Sequence, residues 1–182
     1  MLKKEWYSVV LPKSFGGEEF GEIMASDPKT LMGRRIEAGM NDIQKDMSKF
    51  YIKVVFRIDR VEKDMAYTRF DGHRCLREYI SHIVRPMITR VDNNVVVTTS
   101  DGARIRVKGL LLFSQNVNRA IKASAIKTMN SLIEKKASES DFDAFVKAML
   151  SGELSSEIKT ACRKLYPVSK AEIRKSEVQS AA

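Results

Sequence analysis

Three cations alternate with three apolar residues in the run SDGARIRVKG, which extends from Ser100 to Gly109. Strand residues two apart lie on the same side of a sheet, so Arg104, Arg106 and Lys108 are expected to form a ladder of positive charge. Such a ladder can bind phosphates, because Arg and Lys release condensed counterions when they meet a nucleic-acid backbone. A solvated outer face is the plain alternative, since half-buried strands commonly present polar residues to water.

The residues that follow the ladder favour a polyanionic partner. Between Gly102 and Ile133 the sequence has no Asp or Glu, but it has six cations, namely Arg104, Arg106, Lys108, Arg119, Lys122 and Lys127. An ordinary protein surface mixes both signs of charge. The whole chain carries a formal net charge of +9, which favours nucleic acid or an acidic membrane surface. We therefore predict that these six side chains bind RNA phosphates.

A second group of basic residues surrounds the first predicted helix. Its members are Arg69, His73, Arg74, Arg77, Arg85 and Arg90. Because Asp71 and Glu78 interrupt this group, an RNA contact and a solvated surface remain equally open. Trp6 and Tyr7, close to Lys3 and Lys4, either stack on bases or fix the N-terminal segment to the body.

Residue types that could support catalysis occur without catalytic spacing. No Ser, Asp or Cys stands at a recognisable distance from His73 or His82. Asp59 and Asp64 follow a strand, as the carboxylates of some metal-dependent nucleases do, but the segment VEKD reads as an exposed turn. Phosphate-loop, dinucleotide and zinc motifs are missing, and Cys75 and Cys162 are expected to be buried. We predict a protein that is not an enzyme and that has no cofactor or metal.

The periodicity of the first part of the chain predicts strands. FYIKVVFRID alternates apolar residues from Phe50 to Ile58, and MAYTRF leads into a turn at Asp71 and Gly72. A helix is expected at about 73–85, before Pro86. MITRV and VVVTT are read as strands separated by a bend at Asn93 and Asn94, and a hairpin follows at Asp101 and Gly102. The prediction is an α+β fold with a mostly antiparallel, barrel-like sheet and one inserted helix.

The remaining segments complete the predicted organisation. Residues 116–166 switch to helical periodicity, with one helix ending at Gly152, and 168–176 form a short strand. Residues 1–30 are expected to run extended over the surface, 31–176 to form a single domain with 31–113 β-rich, and 177–182 to be a flexible tail. Neither a signal peptide nor a membrane span is recognisable, so a cytoplasmic protein is expected.

Several local signatures occur in a familiar order. They are KKEWYSVVLPKSFGG, DPKTLMGRRIE, AYTRFDGH, TTSDGARIRV, EKKASESDFDAFVKAMLSGELSSEI and CRKLYPVSKAEIRKSEV. Together they span nearly the whole chain, which resembles the archaeal and eukaryotic small-subunit ribosomal protein S three-a family. Members of that family commonly carry a longer Lys-rich extension before the W-Y, whereas five residues precede Trp6 in the sequence. It also has fewer cations than the family in HIVRPMITR and SQNVNRAIK.

The resemblance implies a structural constituent of the small ribosomal subunit, located on the platform near the messenger exit. It implies ribosomal RNA and neighbouring platform proteins as partners, messenger RNA near the exit as a further one, and no catalysis. Matching by motif carries an RNA-facing role to Lys3, Lys4, Arg34, Arg35, Arg69, His73, Arg104, Arg106, Arg174 and Lys175. A ribosome-associated protein without a membrane or small-molecule partner is the resulting expectation.

Two other functions remain open from the residues alone. The first is an RNA-binding or regulatory module that acts outside the ribosome, which the composition permits equally well. The second is an RNA-processing enzyme that uses Asp59 or Asp64 with a metal ion.

Overall fold

Most strands come first, three helices follow in succession and a last strand ends the described chain, which is the order expected of an α+β fold. The computed structural model describes residues 4–44 and 47–180. The strands in this part of the chain are β1 (Glu5–Val10), β2 (Glu19–Ala25), β3 (Arg35–Gly39), β4 (Ile52–Glu62), β5 (Met65–Cys75), β6 (Thr89–Thr98), β7 (Arg104–Phe113) and β8 (Val168–Ser180). The α-helices are α1 (Met40–Gln44), α2 (Arg77–Ile83), α3 (Arg119–Glu139), α4 (Phe142–Ser151) and α5 (Glu153–Arg163). The predicted α+β class is confirmed.

The chain divides into two compact units, Met1–Arg74 and Cys75–Ala182, here called unit 1 and unit 2. In unit 1 the strands lie in the order β2-β1-β5-β4-β3, with β1 and β5 parallel and the pairs β1–β2 and β3–β4 antiparallel. In unit 2 the order is β8-β7-β6, with both pairs antiparallel. Across the described ranges the sheet is mixed and open, so the predicted barrel-like closure is not confirmed.

The first 30 residues differ from the predicted extended surface segment. β1 and β2 form an antiparallel hairpin whose inner face contributes Tyr7 and Ala25 to a core with Leu31, Ile58 and Ala66. Gly16 and Gly17 both adopt a positive φ in the connection, so the glycines form the turn of a hairpin instead of interrupting structure. The division into an N-terminal segment, one domain over 31–176 and a tail stays a prediction.

The strand predicted over FYIKVVFRID is confirmed, with a later start. Ile52, Val54 and Phe56 are buried in β4, whereas Phe50 precedes the strand and is exposed. The predicted turn at Asp71 and Gly72 is wrong, because both residues lie inside β5. The strand accommodates both residues: two arginines bind the Asp71 carboxylate, and Gly72 adopts a φ of 153°.

α2 is shorter than the helix predicted for 73–85, because β5 continues through Cys75. Its end before Pro86 is confirmed, since Val84 already has an extended backbone. Its apolar face packs Ile80 against Leu110 and Leu112 of β7. α2 therefore covers the end of β7 that contains Leu110 and Leu112, on the side of the strand to which these two side chains point.

The predicted bend at Asn93 and Asn94 is also wrong, because β6 runs through both residues. Asn93 is buried opposite Gly109 of β7, which has no side chain to occupy the space. The predicted hairpin at Asp101 and Gly102 is confirmed, with Gly102 at φ 83°. The two segments that were predicted as separate strands, MITRV and VVVTT, therefore contribute to the single strand β6.

The helical half agrees with the sequence more closely. α3 begins after Asn118, whose Oδ1 accepts a hydrogen bond from the Ile121 amide at 3.1 Å. α4 ends at Gly152 with φ 87°, as predicted. Lys136 of α3 binds Glu153 and Glu157 of α5 at 3.0 and 2.9 Å. β8 is longer than predicted, because residues 177–180 pair with β7; residues 181–182 lie outside the described part.

Candidate nucleic-acid interface

The outward side of β7 carries the predicted row of cations. Ala103, Ile105 and Val107 are fully buried, whereas the side chains between them face away from this core. Arg104 is exposed, and Arg106 and Lys108 are half-buried. The alternation predicted from the run SDGARIRVKG is confirmed.

The two neighbouring strands extend this row into a surface. Residues that oppose each other in antiparallel strands project on the same side. On β8, Lys175 lies opposite Lys108, and Glu177 lies opposite Arg106. β6 contributes Arg90 and Asp92 from positions opposite the outward residues Leu112 and Leu110. On β8, Glu172 and Lys170 lie opposite the same two leucines. We call this surface the ladder face; its charged residues are Arg90, Asp92, Arg104, Arg106, Lys108, Lys170, Glu172, Arg174, Lys175 and Glu177.

One carboxylate lies at the centre of the ladder face. Glu177 is 2.5 Å from Lys175 Nζ, 3.2 Å from Lys108 Nζ and 3.9 Å from an Arg106 guanidinium nitrogen. The ammonium groups of Lys175 and Lys108 lower the pKa of Glu177, although partial burial opposes them. Glu177 is therefore ionised at neutral pH and neutralises part of the positive charge around it.

A second carboxylate balances the other end of the face. Asp92 accepts two hydrogen bonds from Arg90, from Nε at 2.7 Å and from Nη2 at 2.9 Å. This bonding raises the pKa of the Arg90 guanidinium. Arg174 Nε lies 3.8 Å from the same carboxylate. This nitrogen atom is buried and forms no hydrogen bond.

The ladder face has more cations than carboxylates. Arg90, Arg104, Arg106, Lys108, Lys170, Arg174 and Lys175 stand against Asp92, Glu172 and Glu177. Arg104 forms no ion pair with any described residue. The cations that have no carboxylate near them in sequence thus have three carboxylates beside them in space, and a positive excess remains.

The cations of α3 do not belong to the ladder face. A Cβ built on Gly109 would lie 2.7 Å from Met129 Cε, which places α3 against the side of β7 opposite to the ladder. Arg119, Lys122 and Lys127 are therefore carried by a helix on the other side of the sheet. Arg119 and Lys127 are exposed and Lys122 is half-buried, and none forms an ion pair within the described ranges. The continuous basic run in sequence forms two separate surfaces.

Arg85 follows the end of α2 and is exposed. It lines an open pocket with Tyr79, His82 and Lys170. No ion pair joins Arg85 to another described side chain. It is therefore a free cation in unit 2, outside the ladder face.

Arg35 and Arg74, two of the predicted cations of unit 1, lie against carboxylates. Asp71, only 9% exposed, lies 2.6 Å from Arg35 Nε and 3.4 Å from Arg57 Nε. Arg74 Nη2 contacts a Glu37 oxygen at 2.6 Å. This arrangement connects β3, β4 and β5 and reduces the charge that Arg35 and Arg74 offer to a partner.

The other predicted positions of unit 1 differ in their accessibility. Arg69 is exposed, 3.7 Å from an Asp59 oxygen. His73 is 2% exposed, so its side chain lies in the interior and is not part of a surface. Lys4 and Arg34 are exposed and have no ion pair with the described residues. Lys3 lies outside the described residues.

The carboxylates considered for metal chemistry are engaged in surface ion pairs or stand in a turn. Asp59 lies near Arg69, Glu62 lies 3.3 Å from Arg60, and Asp64 occupies the connection between β4 and β5. Within 4–44 and 47–180, no three His, Cys, Asp or Glu side chains are grouped to hold a metal ion. Over the same ranges, no helix has both the length and the apolar content needed to cross a membrane.

A family model described as the Ribosomal S3Ae family matches residues 1–182. The chain belongs to the Ribosomal S3Ae family. The resemblance drawn from the ordered motifs is therefore confirmed.

Curated relatives of this S3Ae chain are archaeal proteins named small ribosomal subunit protein eS1. The protein of Methanopyrus kandleri is 40% identical over 179 residues, covering 96% of this chain and 85% of its own length. Those of Saccharolobus solfataricus and Saccharolobus islandicus are both 39% identical over 175 residues, covering 96% of this chain and 84% of theirs. These names are those of ribosomal constituents and not of enzymes, which agrees with the prediction of a non-catalytic protein.

Three residues that shape the charged surfaces of this S3Ae chain were not predicted from its sequence. Arg57 shares Asp71 with Arg35, and its outward position was readable from the alternation of β4. Glu177 and Asp92 enter the ladder face through strand pairing. No local signal could show this, because the partners of β7 lie far away in sequence.

Proposed function

We propose that this chain is a structural constituent of the small ribosomal subunit that binds ribosomal RNA through the ladder face. The excess of cations over carboxylates on β6, β7 and β8 is the observation that carries the proposal. Phosphates would take the positions beside Arg104, Arg106 and Lys108, where they relieve the repulsion between cations. Binding of this kind follows the shape and charge of the RNA and does not require base reading.

The names of the relatives support the assignment to the small subunit. A protein that is 40% identical over nearly the whole chain is a small-subunit protein in Methanopyrus kandleri. By the family resemblance, the platform near the messenger exit is the proposed location, in the cytoplasm, with neighbouring platform proteins and messenger RNA as further partners. Arg85, Arg119 and Lys127, which are exposed and unpaired among the described residues, are secondary contacts in this proposal.

The test compares the ladder face with an equal loss of charge elsewhere. Binding of small-subunit RNA is measured over a range of salt for the Arg104→Ala, Arg106→Ala double variant. Each lost phosphate contact flattens the log–log salt slope by about 0.7 to 0.9, so the double variant should lose about 1.4 to 1.8. The control is the Lys159→Ala, Arg163→Ala double variant, which removes an equal number of positive charges from α5.

Two results would contradict the proposal. The first is an unchanged slope for the ladder variant, and the second is an equal loss in the α5 control, which would indicate that only net charge matters. Sedimentation of the wild-type chain in a sucrose gradient tests the ribosomal assignment separately. Co-migration with small subunits is expected, whereas absence from that peak would favour an RNA-binding module outside the ribosome.

A further inference from the structure

Three large apolar side chains lie exposed on one side of the β2-β1-β5 strands in unit 1. Trp6 of β1 pairs in register with Met24 of β2, and Met65 of β5 pairs with Ser8, two residues after Trp6. Residues in register project on the same side of a sheet, so the three share one surface. Trp6 is 58% exposed, Met24 41% and Met65 42%. We call these three residues the Trp6 patch.

The Trp6 patch is not an outlying part of the core. The opposite side of the same strands carries Tyr7, Val9 and Ala66, all of which are buried. Single exposed apolar residues are common, but a contiguous group in register marks a contact surface. Trp and Met are also the residue types that interfaces favour. The strands thus have one core side and one apolar side that faces water.

Carboxylates border the β2 side of the Trp6 patch, whereas Arg60 lies over the Tyr67 ring on its β5 side. Glu22 lies opposite Ser8 and Glu19 opposite Val10, on the same side as Trp6. Carboxylates in these positions repel RNA phosphates and attract a positively charged partner.

β2 offers such a partner a backbone to pair with. Among the described strands β2 pairs only with β1, so its other edge has unpaired backbone N–H and C=O groups. An open edge of this kind accepts an added strand from another protein. The next strand position lies directly beside Met24 and Glu22. An extended segment bound there would place alternate side chains on the patch.

We propose that the Trp6 patch and the open edge of β2 bind an extended, positively charged segment of another protein that carries apolar side chains. The segment pairs with β2 through its backbone, its apolar side chains cover Met24 and Trp6, and its cations meet Glu19 and Glu22. The residues of this surface are not residues of the ladder face, and the proposal does not rest on RNA binding there. An unpaired RNA base that stacks on Trp6 is the competing occupant.

Fluorescence of Trp6 reports on this site alone, because the chain has a single tryptophan. Three probes are titrated into the full chain: a short peptide of alternating Lys and Val, the matching peptide of Glu and Val, and a single-stranded oligouridylate. The Lys–Val peptide should shift the emission to the blue and slow hydrogen exchange in Glu19–Ala25. The Glu–Val peptide and the oligouridylate should change neither. Met24→Lys should weaken Lys–Val binding by about tenfold or more, as expected of an interface anchor.

Met87→Lys, at a methionine that is 80% exposed in unit 2, is the matched control and should bind as the wild type does. If Met24→Lys fails to fold by circular dichroism, Glu22→Lys takes its place and should also weaken binding. Three results would overturn the proposal: quenching by the oligouridylate without a response to the Lys–Val peptide, equal binding of both peptides, or no response to any probe. Lys–Val binding without protection of β2 would overturn the strand-pairing arrangement.

Discussion

Replacing Glu177 by Gln should strengthen RNA binding, although it removes an ion-pairing residue. A phosphate that contacts Lys108 from the side away from Glu177 lies about 6 Å from the Glu177 carboxylate, because the carboxylate is 3.2 Å from the same ammonium group. At 6 Å the repulsion between two unit charges is about 0.7 kcal/mol in water and about 2.8 kcal/mol at an effective dielectric constant of 20. The ladder face is well hydrated, so the lower part of this range applies. We expect a three- to tenfold gain in affinity at low salt.

The assay is fluorescence anisotropy with labelled small-subunit RNA, repeated at increasing salt. The gain should shrink as salt rises, because ions screen the repulsion that Glu177 exerts. Glu134→Gln, at an exposed residue of α3, changes the net charge by the same amount and is expected to leave affinity within about twofold. A folded Glu177→Gln variant with unchanged or weaker binding would refute the role assigned to the ladder face. So would an equal gain in Glu134→Gln.

Three further predictions concern stability and reactivity. Asp71→Asn should lower the free energy of unfolding, measured in urea, by about 1–3 kcal/mol, because it leaves two arginines without their shared carboxylate. The control Asp59→Asn removes a carboxylate from an exposed ion pair and should lower the free energy of unfolding by about 0–1 kcal/mol. Gly109→Ala should cost no more than about 1 kcal/mol, because its Cβ would lie 2.7 Å from Met129 Cε, the far end of a flexible side chain that can move aside, and Met129→Leu, which lacks that carbon, should remove the cost. Burial, followed by the negative charge of Glu172, raises the pKa of the Cys75 thiol to about 12, so peptide mass spectrometry should find Cys75 unmodified by iodoacetamide at pH 8 until urea unfolds the chain.

The acid stability of the chain provides another prediction. The folded-state pKa of Glu177 lies below its ordinary value, so the stabilisation from Lys175 and Lys108 is present at neutral pH and is lost as the pH falls through and below the ordinary range of a glutamate. The Glu177→Gln variant should therefore lose less stability than the wild type over that acid range, as measured by urea unfolding. Equal losses would show that Glu177 has no stabilising partners in the folded chain.

Sequence periodicity predicted the elements that depend on local patterns. The alternation of β4 and β7, the hairpin at Gly102 and the end of α4 at Gly152 all follow from side-chain period or from a positive φ that glycine adopts without strain. These features need no knowledge of distant residues. The alternation of β7 also predicted which side of that strand carries its cations.

Features decided by distant partners could not be predicted. Asp71 and Gly72 read as a turn because local propensity cannot show that Arg35 and Arg57 hold Asp71 inside a strand. Asn93 was predicted to lie in a bend because its local sequence is typical of one. It fits inside a strand because Gly109, opposite it on β7, leaves space for its side chain. The charge of the candidate site was overestimated for the same reason, since Glu177 reaches Lys108 only through strand pairing.

The order of β6, β7 and β8 has a consequence for how the chain is made. β7 pairs with β6 through a short hairpin, but its other neighbour, β8, follows only after α3, α4 and α5. During synthesis β7 is therefore an exposed edge for as long as the three helices are being translated. Positive side chains along an edge discourage it from joining strands of other nascent chains. Arg104, Arg106 and Lys108 thus protect the unfinished protein from aggregation before any RNA is bound.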